Sequence, residues 1–232
     1  MHIYITGVSS GIGEALAKKY LSEGHFVTGI GRGHSIQHPN FSFQSLDLMD
    51  VKAVQSFQFD LSQDSLVLIN NAGQIGAIQR ISEQTESDIE AVMTVNTIAP
   101  MLLCQQFLKQ VPLTKKQTIV NISSGAANRA IPAWASYCAS KIAIDRFSET
   151  IDLEEKERGR NLRVFSIAPG VIDTPMQEKI RAASATDFSS HANFVQLKKA
   201  NDLTTAEQTA TKICLLIENA SNDCVIQTLK AY

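Results

Sequence analysis

Thr6-Gly7-Val8-Ser9-Ser10-Gly11-Ile12-Gly13 decides the reading of this chain. It stands between a run that reads as a strand, His2-Ile3-Tyr4-Ile5-Thr6, and a helical pattern over 11–23. Glycines at such a junction permit a tight turn and let backbone N–H groups approach a pyrophosphate. The helix that follows turns its positive end toward that anion. The spacing is G-x-x-x-G-x-G, and no Lys-Ser or Lys-Thr follows, which disfavours a nucleoside-triphosphate loop. Taken alone, a glycine turn also has a purely structural reading. Gly29-Ile30-Gly31-Arg32-Gly33 is such a lookalike: it ends a strand and opens no helical pattern.

Working outward, short β-rich runs alternate with longer helical ones. The strand candidates are 2–6, 25–31, 41–46, 66–70, 117–122, 162–168 and 223–229. Helical patterns lie near 11–23, 50–58, 86–110, 134–158 and 204–219. This alternation predicts an α/β fold, a parallel seven-stranded sheet of Rossmann type with helices on both faces. Leu66-Val67-Leu68-Ile69 and Thr118-Ile119-Val120 are apolar on consecutive positions, as strands covered on both faces are. No repeat, low-complexity tract or linker interrupts 1–232, so one domain is expected. The charged run Glu154-Glu155-Lys156-Glu157-Arg158 reads as a solvated helix end stopped by Gly159. The segment 176–203 is polar, helix-like in patches and follows Pro175. It reads as a substrate-binding lid or as a surface insertion.

Composition excludes several classes. With 21 Lys plus Arg against 23 Asp plus Glu, the net charge is −2. That balance suits neither a dedicated nucleic-acid binder nor a binder of anionic membranes. No apolar run is expected to reach the roughly 18 residues of a membrane span. A cleaved signal would remove the first strand, so a cytoplasmic protein is expected. Cys104, Cys138, Cys214 and Cys224 form no C-x-x-C pair and read as reduced thiols, mostly interior. The histidines show no metal-ligand spacing, so no metal is expected.

The second strand bears on cofactor choice. It ends Gly31-Arg32, where an NAD-selecting site usually carries a carboxylate for the ribose 2′-OH. Arg32 is suited to a 2′-phosphate, which favours NADPH over NADH; the alternative is a solvent-facing side chain. Asp47 reads either as a residue beside the adenine or as a helix N-cap. Tyr137 and Lys141 stand at i and i+4, on one face of a helix. An ammonium beside a phenol favours the tyrosinate, so the pair is suited to acid–base work on an alcohol or carbonyl. Ser124 follows the strand ending Asn121-Ile122-Ser123, at the carboxyl edge where open parallel sheets bind ligands.

Together these residues resemble the short-chain dehydrogenase/reductase family over nearly the whole chain. Thr6 to Gly13 matches its glycine signature, and Asn70-Asn71-Ala72-Gly73 its Asn-Asn-Ala-Gly signature. Asn96, Ser124, Tyr137 and Lys141 match its active-site tetrad, and Pro169-Gly170 its proline–glycine turn. The resemblance implies that Tyr137 is the acid–base and that Lys141 lowers its pKa and binds the nicotinamide ribose. It implies that Ser124 orients the reacting oxygen and that Asn96 maintains a water linked to Lys141. The implied cofactor contacts are Gly7, Ser9, Ser10, Gly11, Ile12, Gly13, Arg32, Asp47, Asn71, Ala72, Gly73, Tyr137, Lys141, Pro169, Gly170, Ile172 and Thr174. Thr174 matches the residue that holds the nicotinamide carboxamide. Pro100 has no N–H, so the Asn96 carbonyl loses its helical i+4 donor. Either a water takes that vacancy or Pro100 simply kinks a long helix.

Within the family the chain looks like the sepiapterin reductase and benzil reductase branch, which implies NADPH-dependent reduction of a ketone or vicinal diketone. The tail Val225-Ile226-Gln227-Thr228-Leu229-Lys230-Ala231-Tyr232 lacks the carboxylate of the pterin reductases. A small or aromatic ketone therefore suits better than a pterin. Trp134 and Phe194 join Ser124 and Tyr137 as candidate substrate contacts, although Trp134 is also suited to packing beneath a helix start. The alternatives are an NAD-linked alcohol or sugar dehydrogenase and a non-catalytic dinucleotide sensor or scaffold. The family implies a homodimer or homotetramer built on the helices over 86–110 and 134–158.

Overall fold

All five residues of the first strand are buried, and their side chains alternate between two cores. Ile3 and Ile5 meet Leu16, Tyr20, Ile213 and Ile217 on one side. Tyr4 meets Leu66, Leu68, Leu103 and Phe107 on the other. A strand covered on both faces requires helices on both sides of the sheet. In the computed structural model, which describes residues 1–219 and 224–229, the parallel strands run in the order β3-β2-β1-β4-β5-β6-β7. They are β1 (His2–Thr6), β2 (Phe26–Gly31), β3 (Phe41–Ser45), β4 (Ser65–Asn70), β5 (Lys116–Ile122), β6 (Leu162–Ala168) and β7 (Ile226–Thr228). The helices are α1 (Gly11–Ser22), α2 (Val51–Gln55), α3 (Glu86–Met93), α4 (Ala99–Gln110), α5 (Ala135–Glu157), α6 (Pro175–Arg181), α7 (His191–Lys199) and α8 (Ala206–Asn219). This is the doubly wound sheet expected from the sequence. The strand order reverses between β1 and β4, which opens a crevice at their carboxyl ends.

Several local expectations need correction. The helix expected near 50–58 ends at Gln55, because Phe57 and Phe59 leave it to enter the core edge-on to Tyr4. The last strand is shorter than 223–229, and residue 223 lies outside the described residues. The run Glu86–Gln110 is, by length and composition, apolar enough to cross a membrane, contrary to expectation. Half of its most apolar window is buried, and Leu103, Cys104 and Phe107 face the sheet as core residues. Only Cys104 and Cys214 of the four thiols are interior; Cys138 is half-buried and Cys224 exposed.

The charged end of α5 is not simply solvated. Gly159, at φ +68°, forms the left-handed turn that ends the helix, with Arg160 N–H donating to Glu155 O and Gly159 N–H to Lys156 O. That turn brings Arg160 back under the helix, where its Nε lies 2.5 Å from Glu155 Oε2; the two side chains are 8% and 4% exposed. Arg160 also donates to Val111 O, Leu108 O and Gln117 Oε1, which ties α5 to the end of α4 and to β5. Removing one member of such a pair leaves the other charge buried. Arg160→Ala is therefore expected to lower unfolding free energy by about 3 kcal/mol in urea denaturation. A loss under about 1 kcal/mol would show that the pair contributes little.

Candidate active site

The glycine turn is built around two close approaches. Gly7 and Gly11 hold φ of +74° and +60°, and a Cβ on Gly13 would stand 2.2 Å from Gly7 O. Only glycine lets α1 start this near to β1. Thr6 and Asn71 brace the turn from the neighbouring strand end. Thr6 Oγ1 accepts from the N–H groups of Asn71 and Ala72, and Asn71 Nδ2 donates to Thr6 O and Gly7 O. Ser10 precedes α1 in an extended conformation with no side-chain cap, so the first N–H groups of the helix are left for an anion. Gly7, Ser9, Ser10, Gly11 and Ile12 line the adjoining cleft. Gly13 does not: it packs on the turn from behind rather than lining the cradle.

The cleft has a volume of about 950 Å³. At one end lie Arg32, which is exposed, and Asp47, with Leu48 and Met49 between β3 and α2. Asp47 Oδ1 accepts from Met49 N–H, whereas Asp50 caps α2 by accepting from Ala53 N–H. The N-cap reading of Asp47 is thus replaced by a turn that sets the cleft floor. At the other end stand Asn71, Ala72, Gly73, Pro169, Gly170, Ile172 and Thr174. Thr174 precedes α6, and its hydroxyl donates to Ile172 O at 3.4 Å.

Ser124, Tyr137 and Lys141 converge between these ends. Ser124 lies just beyond β5, and its Oγ accepts from Ala126 N–H, which leaves its own proton to donate elsewhere. Tyr137 and Lys141 project from the first turns of α5. Lys141 Nζ donates to Ile122 O at 2.8 Å and lies 5.7 Å from the Tyr137 ring centroid. Burial lowers the Lys141 pKa to about 8, and the carboxylate of Asp145 opposes that fall. Burial raises the Tyr137 pKa, against a lowering hydrogen bond with Ser124. Desolvation of the tyrosinate, not the lowering expected from Lys141, sets the direction of the shift here.

Asn96 stands behind the cleft rather than on it. Its Oδ1 accepts from Gln74 N–H, and its Nδ2 donates to Gln74 O and Ser140 Oγ. Gly73 is pinned between Asn96 Oδ1 and Lys141 Nζ, 3.4 and 3.6 Å from where a Cβ would be. The long helix is interrupted here, over Thr94–Ile98, by a π-helical turn in which Ala99 N–H reaches Thr94 O. The interruption adjoins Pro100, which has no N–H to give Asn96 O, so the regular bond pattern is broken at the expected place.

The wall beyond Tyr137 is aromatic. Trp134 meets Tyr137 edge-on, stacks on Phe188 and tilts against Phe194, with centroids 5.6, 5.4 and 5.4 Å apart. Trp134 sits at the start of α5 and also lines the cleft. The segment 176–203 supplies most of α6 and the whole of α7, which close this wall. Its base is clipped by an Ile172–Thr204 bridge and by Asp173, which pairs with Lys198 and Arg181. Sequence reasoning missed Phe188 and Gln177, both buried in what reads as a polar stretch. The only signal for Gln177 is its place in the first turn after Thr174-Pro175.

A family profile described as short chain dehydrogenase matches residues 1–185. The chain belongs to that family, whose members bind a nicotinamide dinucleotide. It is 33% identical over 242 residues to a benzil reductase ((S)-benzoin forming) of Bacillus subtilis, covering all of both chains. It is 30% identical over 200 residues to an NADPH-dependent pterin aldehyde reductase of Arabidopsis thaliana, covering 81% of each. A crystal structure of a short chain dehydrogenase/reductase from Saccharomyces cerevisiae superposes with a TM-score of 0.83 at 24% identity, covering 98% of this chain and 95% of that one. The uncapped α1 and the glycine-rich turn before it fit a dinucleotide pyrophosphate.

The lowered Lys141 pKa has a thermodynamic signature. Between about pH 8 and its ordinary 10.5, the unfolded chain holds a proton that the folded chain has released. Stability attributable to Lys141 therefore rises with pH across that window, after being reduced below it by the buried ammonium. The stability of wild type minus that of Lys141→Met is expected to rise above pH 8 by up to about 1.4 kcal/mol per pH unit in paired urea titrations. A flat difference would place the ammonium in a solvated setting.

Proposed function

We propose that this chain is an NADPH-dependent carbonyl reductase acting on a ketone or vicinal diketone. The observation that carries the reading is the convergence of Ser124, Tyr137 and Lys141 on the same cleft that the glycine turn lines. The dinucleotide, when bound, supplies the hydride that the carbonyl carbon receives. Burial keeps the Tyr137 phenol protonated in the resting site, which suits it to act as the general acid. As the carbonyl carbon is reduced, its oxygen gains the electron pair of the former double bond and takes the Tyr137 proton. Ser124 donates its hydroxyl proton in a hydrogen bond to the same oxygen, which fixes the carbonyl and stabilises developing charge. The tyrosinate left behind faces Lys141, whose ammonium compensates it until a proton returns from solvent. Asn96 acts by holding Gln74 and Ser140, and through them the floor beside Gly73 and the helix bearing Tyr137 and Lys141.

The preference for NADPH rests on Arg32. It stands exposed at the adenosine end of the cleft, and β2 ends in Gly31 without a carboxylate to bind a free ribose 2′-OH. A guanidinium there pairs with a 2′-phosphate. An aromatic carbonyl suits the wall of Trp134 and Phe194, backed by the buried Phe188, better than a pterin, since no acidic residue occurs in the tail from Val225 onward. In this reading the segment 176–203 is the substrate-binding lid.

Tyr137→Phe is expected to lower kcat for ketone reduction by about a hundredfold or more with dinucleotide affinity retained, in steady-state assays paired with calorimetry. Undiminished turnover would remove Tyr137 from the chemistry and favour a different acid. Arg32→Ala is expected to raise KM for NADPH about tenfold and leave KM for NADH unchanged. A wild-type enzyme faster with NADH would favour the NAD-linked reading instead.

A further inference from the structure

Three carboxylates are buried among the described residues, and all lie on α5: Asp145, Asp152 and Glu155. Two of them are paired with cations. Asp152 meets Lys156, and Glu155 meets Arg158 and Arg160. Asp145 is in no such pair among the described residues; its hydrogen-bond partner there is Ser166 Oγ of β6, at 2.6 Å. A hydroxyl satisfies a lone pair and leaves the charge in place. A carboxylate is costly to bury without an opposite charge, and an apolar residue would suit the packing of α5 on the sheet as well. The opposite charge stands one turn back. Lys141 and Asp145 are at i and i+4, both 5% exposed. Side chains at that spacing leave one face of a helix about 6 Å apart. Their anchors adjoin as well. Lys141 Nζ donates to Ile122 O, Asp145 accepts from Ser166, and the β5–β6 register pairs Asn121 with Ser166 and Ile122 with Ile167. The buried ammonium and the buried carboxylate thus bracket one step of the β5–β6 ladder.

We propose that Asp145 is a positioning residue for the reaction: its carboxylate, fixed to β6 by Ser166, keeps Lys141 an ammonium in a site whose burial favours the neutral amine. The proposal rests on the carbonyl-reductase reading, in which that ammonium compensates the Tyr137 tyrosinate. Asp145 is not part of the cleft lining, so it acts through Lys141. Desolvation brings the Lys141 pKa down to about 8, and Asp145 supplies the opposing attraction. No second carboxylate shares this role. On α5 itself Tyr137 lies on the same face, with Cys138 half-buried beside it. β5 and the turn after it present the neutral Ile122 and Ser124, and Lys116 of β5 is exposed. The π-helical turn presents the neutral Asn96. Glu86, Asp88 and Glu90 of α3, which also packs on α5, are exposed or half-buried. On β6 the guanidinium of Arg163 donates to Ile217 O. Without Asp145, Lys141 loses its proton nearer neutrality, and the tyrosinate forms beside an uncharged amine.

The test compares wild type, Asp145→Asn and Asp145→Glu in the reduction of a diaryl 1,2-diketone by NADPH across pH. Asparagine keeps the shape and the oxygen that accepts from Ser166 but removes the charge; glutamate keeps the charge. The quantity read is the midpoint of the alkaline limb of kcat, not its height. Asp145→Asn is expected to move that midpoint down by about one pH unit, a tenfold loss of proton affinity at the Tyr137–Lys141 pair. Asp145→Glu is expected to stay within about 0.3 unit of wild type. An asparagine limb that is unshifted or moves upward, or an equal shift in both variants, overturns the proposal. A second arm needs no turnover: the titration of Lys141 by NMR in carbon-13 lysine-labelled enzyme with oxidised dinucleotide bound, its signal assigned by its loss in Lys141→Met. Its midpoint is expected to fall by about one unit in Asp145→Asn, and an unchanged midpoint overturns the proposal. Should Asp145→Asn not fold, Asp145→Leu takes its place in both arms, and failure of both to fold would make residue 145 structural and overturn the proposal. Absence of ketone reduction by the wild type would instead overturn the reductase reading, and the titration would still decide what Asp145 does to Lys141.

Discussion

The contact between Gly13 and the carbonyl of Gly7 is the constraint on which the rest of the structure depends. With 2.2 Å between that oxygen and an added Cβ, no side chain is tolerated, and α1 can begin only where it does. The Thr6–Asn71 bonds then lock the same turn to the end of β4. From that lock Gly73 is set against Asn96 and Lys141, and Lys141 reaches back to Ile122 at the end of β5. The glycine turn and the cluster of Ser124, Tyr137 and Lys141 are thus positioned by one continuous set of short contacts. This explains why residues distant in the chain share one wall.

Burial, more than the pairing of charges, sets the protonation of the site. Lys141 and Tyr137 are moved in the directions that disfavour their charged forms, the lysine down to about 8 and the phenol upward. Asp145, buried and accepting from Ser166 Oγ at 2.6 Å, pulls the lysine back toward its charged form. A neutral phenol and a lysine near its titration point suit proton delivery to an oxygen. The spacing of Tyr137 and Lys141 reveals that the two share a helix face. It does not reveal that the face is desolvated, since burial depends on Phe188, Phe194 and α6 arriving from elsewhere in the chain.

Legibility followed the same division. The parallel sheet was readable because strands covered on both faces are apolar at consecutive positions, as Leu66 to Ile69 are. That Gly7, Gly11, Ser124, Tyr137 and Lys141 line one cleft was readable because residue type is restricted there: glycine where the backbone turns back on itself, Tyr and Lys one turn apart. The short α2 was not, because the preference of Phe57 and Phe59 for the core around Tyr4 is a tertiary effect. The buried Glu155 was not, because its partner Arg160 lies beyond the helix stop and returns only through the left-handed Gly159. Phe188 and Gln177 were not, because a polar stretch conceals single inward-facing residues whose burial is decided by α5.

The closed base of the segment over α6 and α7 has a consequence for how this protein changes over time. The bridge between Ile172 and Thr204 and the ion pairs of Asp173 join the two ends of the excursion before its interior is specified. Once the ends are joined, added length costs little in chain entropy, which grows only with the logarithm of loop size. Residues between those clips are therefore free to vary in number and kind without disturbing the sheet or the glycine turn. The fold thus allows that segment to be exchanged as a cassette while the dinucleotide-binding scaffold beneath it stays the same.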